Sequence, residues 1–336
     1  MGSTTAAMTQ SVALDFEEFF NEELRLHESF FEQLFEVRKT SQLTKTYGSL
    51  AMSGLPQSTA ENADAYEDDV QEGYEYTVAV DSFSNSLNLS KLLKMSDQSK
   101  MHTVEKYAKD LAKKAVLARD VRTVGELFAK AYDTSVTYGD GKQWASVSHP
   151  RKDGGTAQGN TYADYTQRAL DYDNLKLLED EWAYHVSNKG MPLSIGLDGK
   201  PILMTGPILR EDAMQLTGAS GEPDVMSNNI NYWKAGRNLA YIENPYMSWT
   251  WAYYMGWTTV ARTSSDNYYD TMFVLIDPYW AKMMLCFDEM SPIMTETEYV
   301  KSNRQEIARV WDDFGTGLKG WTGFLFSKGD GSSFSS

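Results

Sequence analysis

A helical repeat of about ten turns is the feature of this sequence that most restricts its fold. From Ser96 or Asp97 to about Tyr132, apolar side chains recur at the spacing that places them on one face of a helix. They are Val104, Tyr107, Leu111, Ala115, Ala118, Val124, Phe128 and Ala131. At 1.5 Å per residue this helix is roughly 50 Å long, so we expect it to span the whole molecule.

An aromatic stripe near the N-terminus predicts a second amphipathic helix, from Asp15 to Phe35. Asp15 can accept a hydrogen bond from the free N–H groups at the start of this helix. The stripe consists of Phe16, Phe19, Phe20, Leu24, His27, Phe30, Phe31, Leu34 and Phe35. Because the stripe is wide, the helix must pack either on the core of its own chain or on a neighbouring molecule.

A long loop and a returning strand follow this helix. The segment from Ser41 to Ala65 is rich in Ser, Thr, Ala and Gly, which predicts a loop. Apolar and polar side chains then alternate from Tyr74 to Asp81, which predicts a strand with one apolar face. Since a two-stranded excursion is marginally stable by itself, we expect it to rest on another surface.

The remainder of the chain alternates glycine-rich turns with short strands and helices, without an internal repeat. A glycine-rich region from Tyr138 to Asn160 precedes a predicted helix from about Asp171 to Asn188. We also predict strands at 201–204, 249–257 and 272–276, a helix between Pro207 and Gly218, and a final strand pair within 309–326.

Charge is unevenly distributed along the chain. The 31 basic and 47 acidic side chains give a net charge of −16, which argues against a groove built for nucleic-acid phosphates. Seven carboxylates and no basic side chain lie between Glu61 and Glu75, whereas residues 91–152 carry 13 basic and 7 acidic side chains. Lys106, Lys109 and Lys113 form a basic stripe on the long helix.

Two interpretations of this charge pattern remain open. Charge runs are usually solvated faces of one molecule. Alternatively, the acidic segment of one copy lies across the basic helix of the next, because opposite fields steer and align subunits. The second interpretation requires a polymer.

The sequence gives little support for an enzyme. It contains no phosphate-binding loop, nucleophile elbow, zinc-protease motif or calcium loop, and the glycine runs at 139–142 and 197–200 are predicted to be turns. No histidine has a second ligand at a suitable spacing, so we expect no catalytic site, no metal site and no cofactor. The histidines are His27, His102, His149 and His185.

The aromatic strand predicted at 249–257 supports one alternative function. Tryptophan faces stack on sugar rings, so this strand could form a carbohydrate platform, although aromatic side chains at period 2 more often fill a core or a subunit contact. Among 47 carboxylates, some pair would lie at glycosidase spacing by chance. A carbohydrate-binding protein or glycosidase therefore stays a minor alternative.

Cysteine usage and hydropathy indicate the compartment. The single cysteine, Cys286, excludes an internal disulfide and fits a reducing cytoplasm; it lies in an apolar run, so we expect it in the core. Residues Met1 to Gln10 do not resemble a secretion signal. The uncharged stretch 244–261 is long enough for a membrane span but contains Pro245 and Gly256, and we expect no membrane helix.

Several short segments, spread over nearly the whole chain, are informative when taken together. They are FEVRKT at 35–40, YEDDVQEGYEYTV at 66–78, YGDGKQWASVSHP at 138–150 with GGT at 154–156, NKGMPLSI at 188–195, NNIN at 228–231 and FVLIDP at 273–278. Around one long helix, these segments resemble the Hong Kong 97-type (HK97-like) major capsid proteins of tailed bacteriophages, especially the Mu-type branch of major head subunits. The segment at 138–150 is the most specific match.

The resemblance implies an α+β HK97-like capsid fold. Its parts would be an N-terminal arm at 1–45, an E-loop hairpin at 46–86, a peripheral domain at 87–190 with the spine helix at 97–132, an axial domain at 191–290 and a return to the peripheral domain at 291–336. A protruding arm and hairpin cannot bury their apolar faces within one subunit, so they are expected to lie over neighbours.

The resemblance also implies a structural role and no enzymatic one. Copies would assemble as hexamers and pentamers into an icosahedral shell around double-stranded DNA, in a virion built in the host bacterial cytoplasm. The expected partners are further copies of the chain, portal, scaffolding or decoration proteins, and packaged DNA through weak non-specific contacts, with no membrane. An encapsulin-like, non-viral shell of the same fold is the alternative.

Three groups of residues are candidates for contacts between subunits. They are acidic side chains of the hairpin, basic side chains of the spine helix and aromatic side chains of the arm. The acidic group is Glu67, Asp68, Asp69 and Glu72; the basic group is Lys106, Lys109 and Lys113; the aromatic group is Phe19, Phe30 and Phe31.

Overall fold

A computed structural model defines most of the chain. It describes residues 16–27, 29–50, 72–90, 101–161, 169–196, 200–219, 230–262, 267–300 and 305–329. Within these ranges the chain forms ten strands and eight α-helices, which confirms the predicted α+β class.

The strands and helices have the following bounds. The strands are β1 (Glu36–Lys39), β2 (Thr44–Leu50), β3 (Glu72–Ala79), β4 (Asp81–Ser90), β5 (Ile202–Thr205), β6 (Ala240–Glu243), β7 (Phe273–Ile276), β8 (Leu285–Val300), β9 (Gln305–Leu318) and β10 (Phe324–Ser327). The helices are α1 (16–26), α2 (Met101–Asp120), α3 (Glu126–Ala129), α4 (Tyr172–Asp180), α5 (Arg210–Gly218), α6 (Tyr232–Ala235), α7 (Trp249–Tyr254) and α8 (Pro278–Met284).

The strands form three sheets in the described part of the chain. One has the order β1-β8-β9-β4 and contains the long antiparallel pair β8 and β9. A second has the order β10-β7-β5-β6, and the third is the hairpin β2-β3. The predicted strands at 201–204 and 272–276 are confirmed as β5 and β7.

The sheet β10-β7-β5-β6 separates two cores. Along β7, Val274 and Ile276 face the main core, which also contains Phe128 of α3, while Phe273 and Leu275 face a second core. All four β7 side chains are buried because both faces of the sheet are covered. The second core includes Leu175, Trp182, Leu203, Leu216, Trp233 and Trp280.

The long helix is confirmed from residue 101 onward, with one irregular turn. α2 passes directly into a π-helical turn, Val121–Gly125, and then into α3. Gly125 allows this turn to approach a neighbouring segment closely, because a Cβ there would lie 3.1 Å from Cβ of Tyr246. π turns inside helices often mark functional or strained positions.

The predicted N-terminal helix is broken in two. The helix α1 ends at residue 26, and a 3-10 helix, Phe30–Gln33, continues the chain. Both segments bury their aromatic face on their own chain, since Phe16 and Phe20 pack against α2 and β9 and Phe31 lies in the main core. The stripe is therefore divided between two clusters, which one straight helix could not reach.

Three other predictions need correction. Residues 249–254 form the helix α7 and not a strand, with Trp249 and Tyr253 stacked at 4.9 Å one helical turn apart. The two C-terminal strands do not pair with each other, because β9 joins β8 and β4 whereas β10 joins β7. The helix predicted to reach Asn188 ends earlier, at α4 and a 3-10 turn, Glu181–Tyr184.

Asp120 connects the long helix to the arm. Its carboxylate is buried and accepts a hydrogen bond from the backbone N–H of Phe31, 3.2 Å away. Ser29, at the N-cap of the 3-10 helix, makes no side-chain cap bond, so Asp120 supplies this function from another element. Burial raises the pKa of Asp120 from 3.8 to about 6, although hydrogen bonds from the Phe31 and Phe30 N–H groups oppose the shift.

The ionisation of Asp120 is expected to oppose folding at neutral pH. Because the folded state holds this proton more tightly than the unfolded state, the cost is full above pH 6 and disappears below about pH 4. Asp120→Asn keeps an acceptor oxygen and removes the charge. Its Tm at pH 7 should equal or exceed the wild-type value, with a flatter profile between pH 4 and 7 in thermal unfolding.

The exposed Asp110→Asn serves as the control, since Asp110 pairs with Lys114 on the surface of the same helix. Asp120→Ala, which removes the acceptor, should lower the Tm. If Asp120→Asn destabilises the protein at pH 7 as much as Asp120→Ala, a buried charge is not the source of the effect.

Candidate assembly surfaces

The foot of the hairpin β2-β3, which contains Tyr47, Tyr76 and Val78, packs against the rest of its own chain. Tyr76 and Val78 of β3 are buried together with Cys286 of β8, and Tyr47 of β2 packs beside them. Cys286 is fully buried, which confirms that this cysteine is a core residue, and burial raises the pKa of its thiol to about 12. The expectation that the hairpin cannot bury its apolar face within one subunit is therefore wrong for this foot.

Tyr47 holds the foot in place through polar contacts. Its ring stacks on Tyr76 at 5.0 Å, and its hydroxyl donates a hydrogen bond of 2.6 Å to Asp288 of β8. Burial, with the nearby Asp288 carboxylate, raises the pKa of Tyr47, so the hydroxyl stays a donor. The guanidinium of Arg38 lies 5.4 Å from the centre of the same ring.

Glycines allow the close approach of hairpin and body. A Cβ on Gly139, in the turn of the 138–150 segment, would lie 2.1 Å from the carbonyl oxygen of Glu75. A Cβ on Gly317 of β9 would lie 2.4 Å from a methyl group of Val78. The predicted turn at 139–142 is confirmed, and Gly141 adopts a positive φ of 76° there.

Of the four acidic candidates, the structure describes only Glu72. Glu67, Asp68 and Asp69 lie outside the described residues, as do all the positions between β2 and β3. Glu72, at the start of β3, is exposed. The contacts of the acidic run therefore stay a prediction.

The basic candidates are on the surface of α2, but two of them have partners in their own chain. Lys106 is exposed. Lys109 donates to Glu105 one turn earlier at 2.8 Å, and Lys113 lies 3.2 Å from Glu23 of α1. The partly exposed Lys109–Glu105 pair contributes only about 0 to 1 kcal/mol, so Lys109 can exchange partners at little cost. Glu23 is buried, so Lys113 is held more firmly in its own chain.

The aromatic candidates differ in accessibility. Phe31 is 1% exposed and its ring lies 4.4 Å from that of Phe287, so it is a core residue in this chain and not a surface contact. Phe19 and Phe30 are partly buried beside the two clusters that hold the arm. The arm is therefore attached to its own spine helix, and only its partly exposed rings remain as contact candidates.

The histidines with defined contacts have structural environments. The buried ring of His149 contacts Asp140 at 2.7 Å through Nδ1 and stacks on Trp321 at 4.6 Å. Burial lowers the pKa of His185 to about 4, so this ring is neutral at pH 7. Among the described residues, no group of three or more His, Cys, Asp or Glu side chains is arranged to hold a metal ion.

A concave feature lies beside the hairpin foot. This cavity of about 510 Å³ is lined by aromatic side chains such as Tyr74 and Trp321 and by the cations Arg38, Arg151 and Lys319. Glu36 lies within 2.8 Å of both Arg38 and Lys319, so much of the positive charge is already neutralised. Arg151 is likewise paired, with Asp153, and this neutralisation disfavours a phosphate ligand in the cavity.

Sequence reasoning missed the exposed aromatic surface of α7. Tyr253 and Tyr254 are 60% and 80% exposed, beside the half-buried Trp249. The sequence did contain the signal for a helix. Trp249 and Tyr253 are four residues apart, which is a helical spacing, but they also fit the alternation of a strand. None of the helices in the described part of the chain combines the length and apolar composition that a bilayer crossing requires.

Comparison with solved structures identifies the fold. The capsid of cyanophage P-SCSP1u superposes with a TM-score of 0.53 at 10% identity, over 89% of this chain and 88% of that one. The mature capsid of bacteriophage PhiM1 gives a TM-score of 0.52 at 12% identity, over 90% and 87%. The chain has an HK97-like capsid fold. No family model and no curated protein matches the sequence.

The structural likeness covers about nine-tenths of this chain at 10–12% identity, so it shows the fold alone. The Mu-type branch predicted from the sequence stays a prediction.

The contact at Gly139 tests how the hairpin is seated. Gly139→Ala places a methyl group against the backbone of Glu75, so the hairpin must shift, and the free energy of unfolding should fall by about 1–3 kcal/mol. Urea unfolding followed by tryptophan fluorescence measures the change. Gly218→Ala is the control, because no atom lies within 4 Å of the added carbon. Equal midpoints for the two variants would contradict the close contact.

Proposed function

We propose that this protein is a major capsid subunit, which assembles as hexamers and pentamers into an icosahedral shell around phage double-stranded DNA. The observation that carries the proposal is the likeness to two phage capsids over about nine-tenths of the chain. The role is structural, and we propose no catalytic activity. The carbohydrate alternative loses its support, because the aromatic strand on which it rested is the helix α7.

We further propose the division of the chain that the family implies. The arm is 1–45, the E-loop is 46–86, the peripheral domain is 87–190 with a return at 291–336, and the axial domain is 191–290. Further partners would be portal, scaffolding or decoration proteins, and packaged DNA through weak contacts. The net charge of −16 fits this last point, because an acidic shell does not retain DNA tightly. The site of action would be the virion, after assembly in the host cytoplasm.

The proposal is tested by the state of the purified protein. Sizing with light scattering and negative-stain electron microscopy should show rings or closed shells and little monomer. A monodisperse monomer at all concentrations would contradict it. Shells that form and contain no DNA in the absence of other phage components would agree with it, since a chain with a net charge of −16 is not expected to bind nucleic acid strongly.

Charge reversal tests the proposed clasp between acidic hairpin and basic helix. Asp68→Lys combined with Asp69→Lys should reduce assembly while the subunit still folds, since the effect repeats at every contact of the shell. Adding Lys106→Glu should restore part of the assembly. Glu211→Lys with Glu296→Lys, at exposed positions elsewhere, is the control for net charge. Normal shells from the first variant would refute the pairing.

A further inference from the structure

The strand β4 has an open edge. It pairs with β9 over its whole length, from Asp81 opposite Phe314 to Ser90 opposite Gln305, without a bulge. On its other side it has no neighbour among the described residues. Every second residue of such a strand points its N–H and C=O groups away from the existing partner, so the edge can receive another strand.

The other sheet edges in the described part of the chain are protected. Three of the four residues of β1 are charged, and β6 also has only four residues. All four residues of β10 are buried. In the two-stranded hairpin, β2 carries Lys45 and an irregularity between Gly48 and Leu50, and β3 carries Glu72 and Glu75. Short length, charges and bulges are the devices by which proteins prevent pairing between molecules. β4 has ten residues and no bulge, and it carries a charge only at its first position, Asp81.

The side chains of β4 fit an identical partner. Asp81, at its first position, is the one charged residue of the strand. The side chains of Ser82, Ser84, Ser86 and Asn88 are exposed, small and uncharged. Two copies that each carry a net charge of −16 repel in general, and an uncharged edge is a place where they can approach without direct repulsion. Beyond Asp81, the edge of β4 offers no negative charge to a basic partner.

We propose that β4 pairs with β4 of a second copy, antiparallel across a twofold axis perpendicular to the sheet. This axis keeps the buried faces of both sheets on the same side and makes one continuous eight-stranded sheet from the two four-stranded ones. The inference rests on the proposed function in that the pair would join two subunits of the shell. This contact is separate from the proposed pairing between the acidic hairpin and the basic helix.

Cysteine scanning tests this contact directly. In a twofold antiparallel ladder, one residue lies opposite its own copy, at a Cα separation within the range of a disulfide. Single cysteines at positions 83 to 88 should therefore give covalent dimers at one central position, under mild oxidation of the assembled protein. Thr46→Cys, exposed on β2, is the control that should not cross-link, and the buried Cys286 is present in every variant.

Lysine substitution provides a second readout. Ser84→Lys combined with Ser86→Lys brings like charges together across the axis, and should weaken association through β4 by about tenfold or more. Thr134→Lys combined with Ser135→Lys, in an exposed loop, adds the same charge away from the edge and should have no effect. Circular dichroism verifies that each variant folds.

The outcomes separate this inference from the proposed function. Shells with a central β4 cross-link support both. Shells without any β4 cross-link, together with normal assembly of the lysine variant, overturn the β4 contact and leave the shell intact. Cross-linked dimers that never form shells support the β4 contact and contradict the capsid proposal.

Discussion

The buried ion network of Arg119 positions the long helix on the sheet. Its guanidinium donates to Asp312 of β9 through two bonds of 2.6 and 2.7 Å and to Glu289 of β8 at 2.9 Å. It also lies over the ring of Phe287. Buried ion pairs add little net stability because both charges lose water, but a wrong register would leave them unpaired. The network therefore selects one position of the helix along β8 and β9.

This position determines where the other parts of the chain can lie. Directly after Arg119, Asp120 binds the arm, and the π turn leads into Phe128 and the main core. On the opposite part of the same sheet, Cys286 supports the foot of the hairpin. The arm, the main core and the hairpin foot are thus held by contacts within one chain. What remains for other copies is the surface away from these contacts, above all the open edge of β4 and the polar surface of the helix.

Elements with a strong local pattern were predictable from the sequence. The long helix, β3, β5 and β7 follow directly from periodicity, and the helix predicted from about Asp171 begins there as α4. The aromatic segment 249–254 was predicted wrongly because its residues satisfy both a period of two and an i, i+4 spacing. Likewise, no local signal shows that Glu23 lies beside Lys113 or that Phe31 contacts Phe287, since both contacts join distant parts of the chain.

A cryo-electron microscopy map of the assembled protein, at a resolution that shows side chains, tests the account most directly. The account predicts that each subunit retains Arg119 on β8 and β9 and Tyr76 under its own hairpin, while copies meet through surfaces that are exposed in the single chain. A map in which the hairpin foot or Phe31 leaves its own body to enter a neighbour would contradict it.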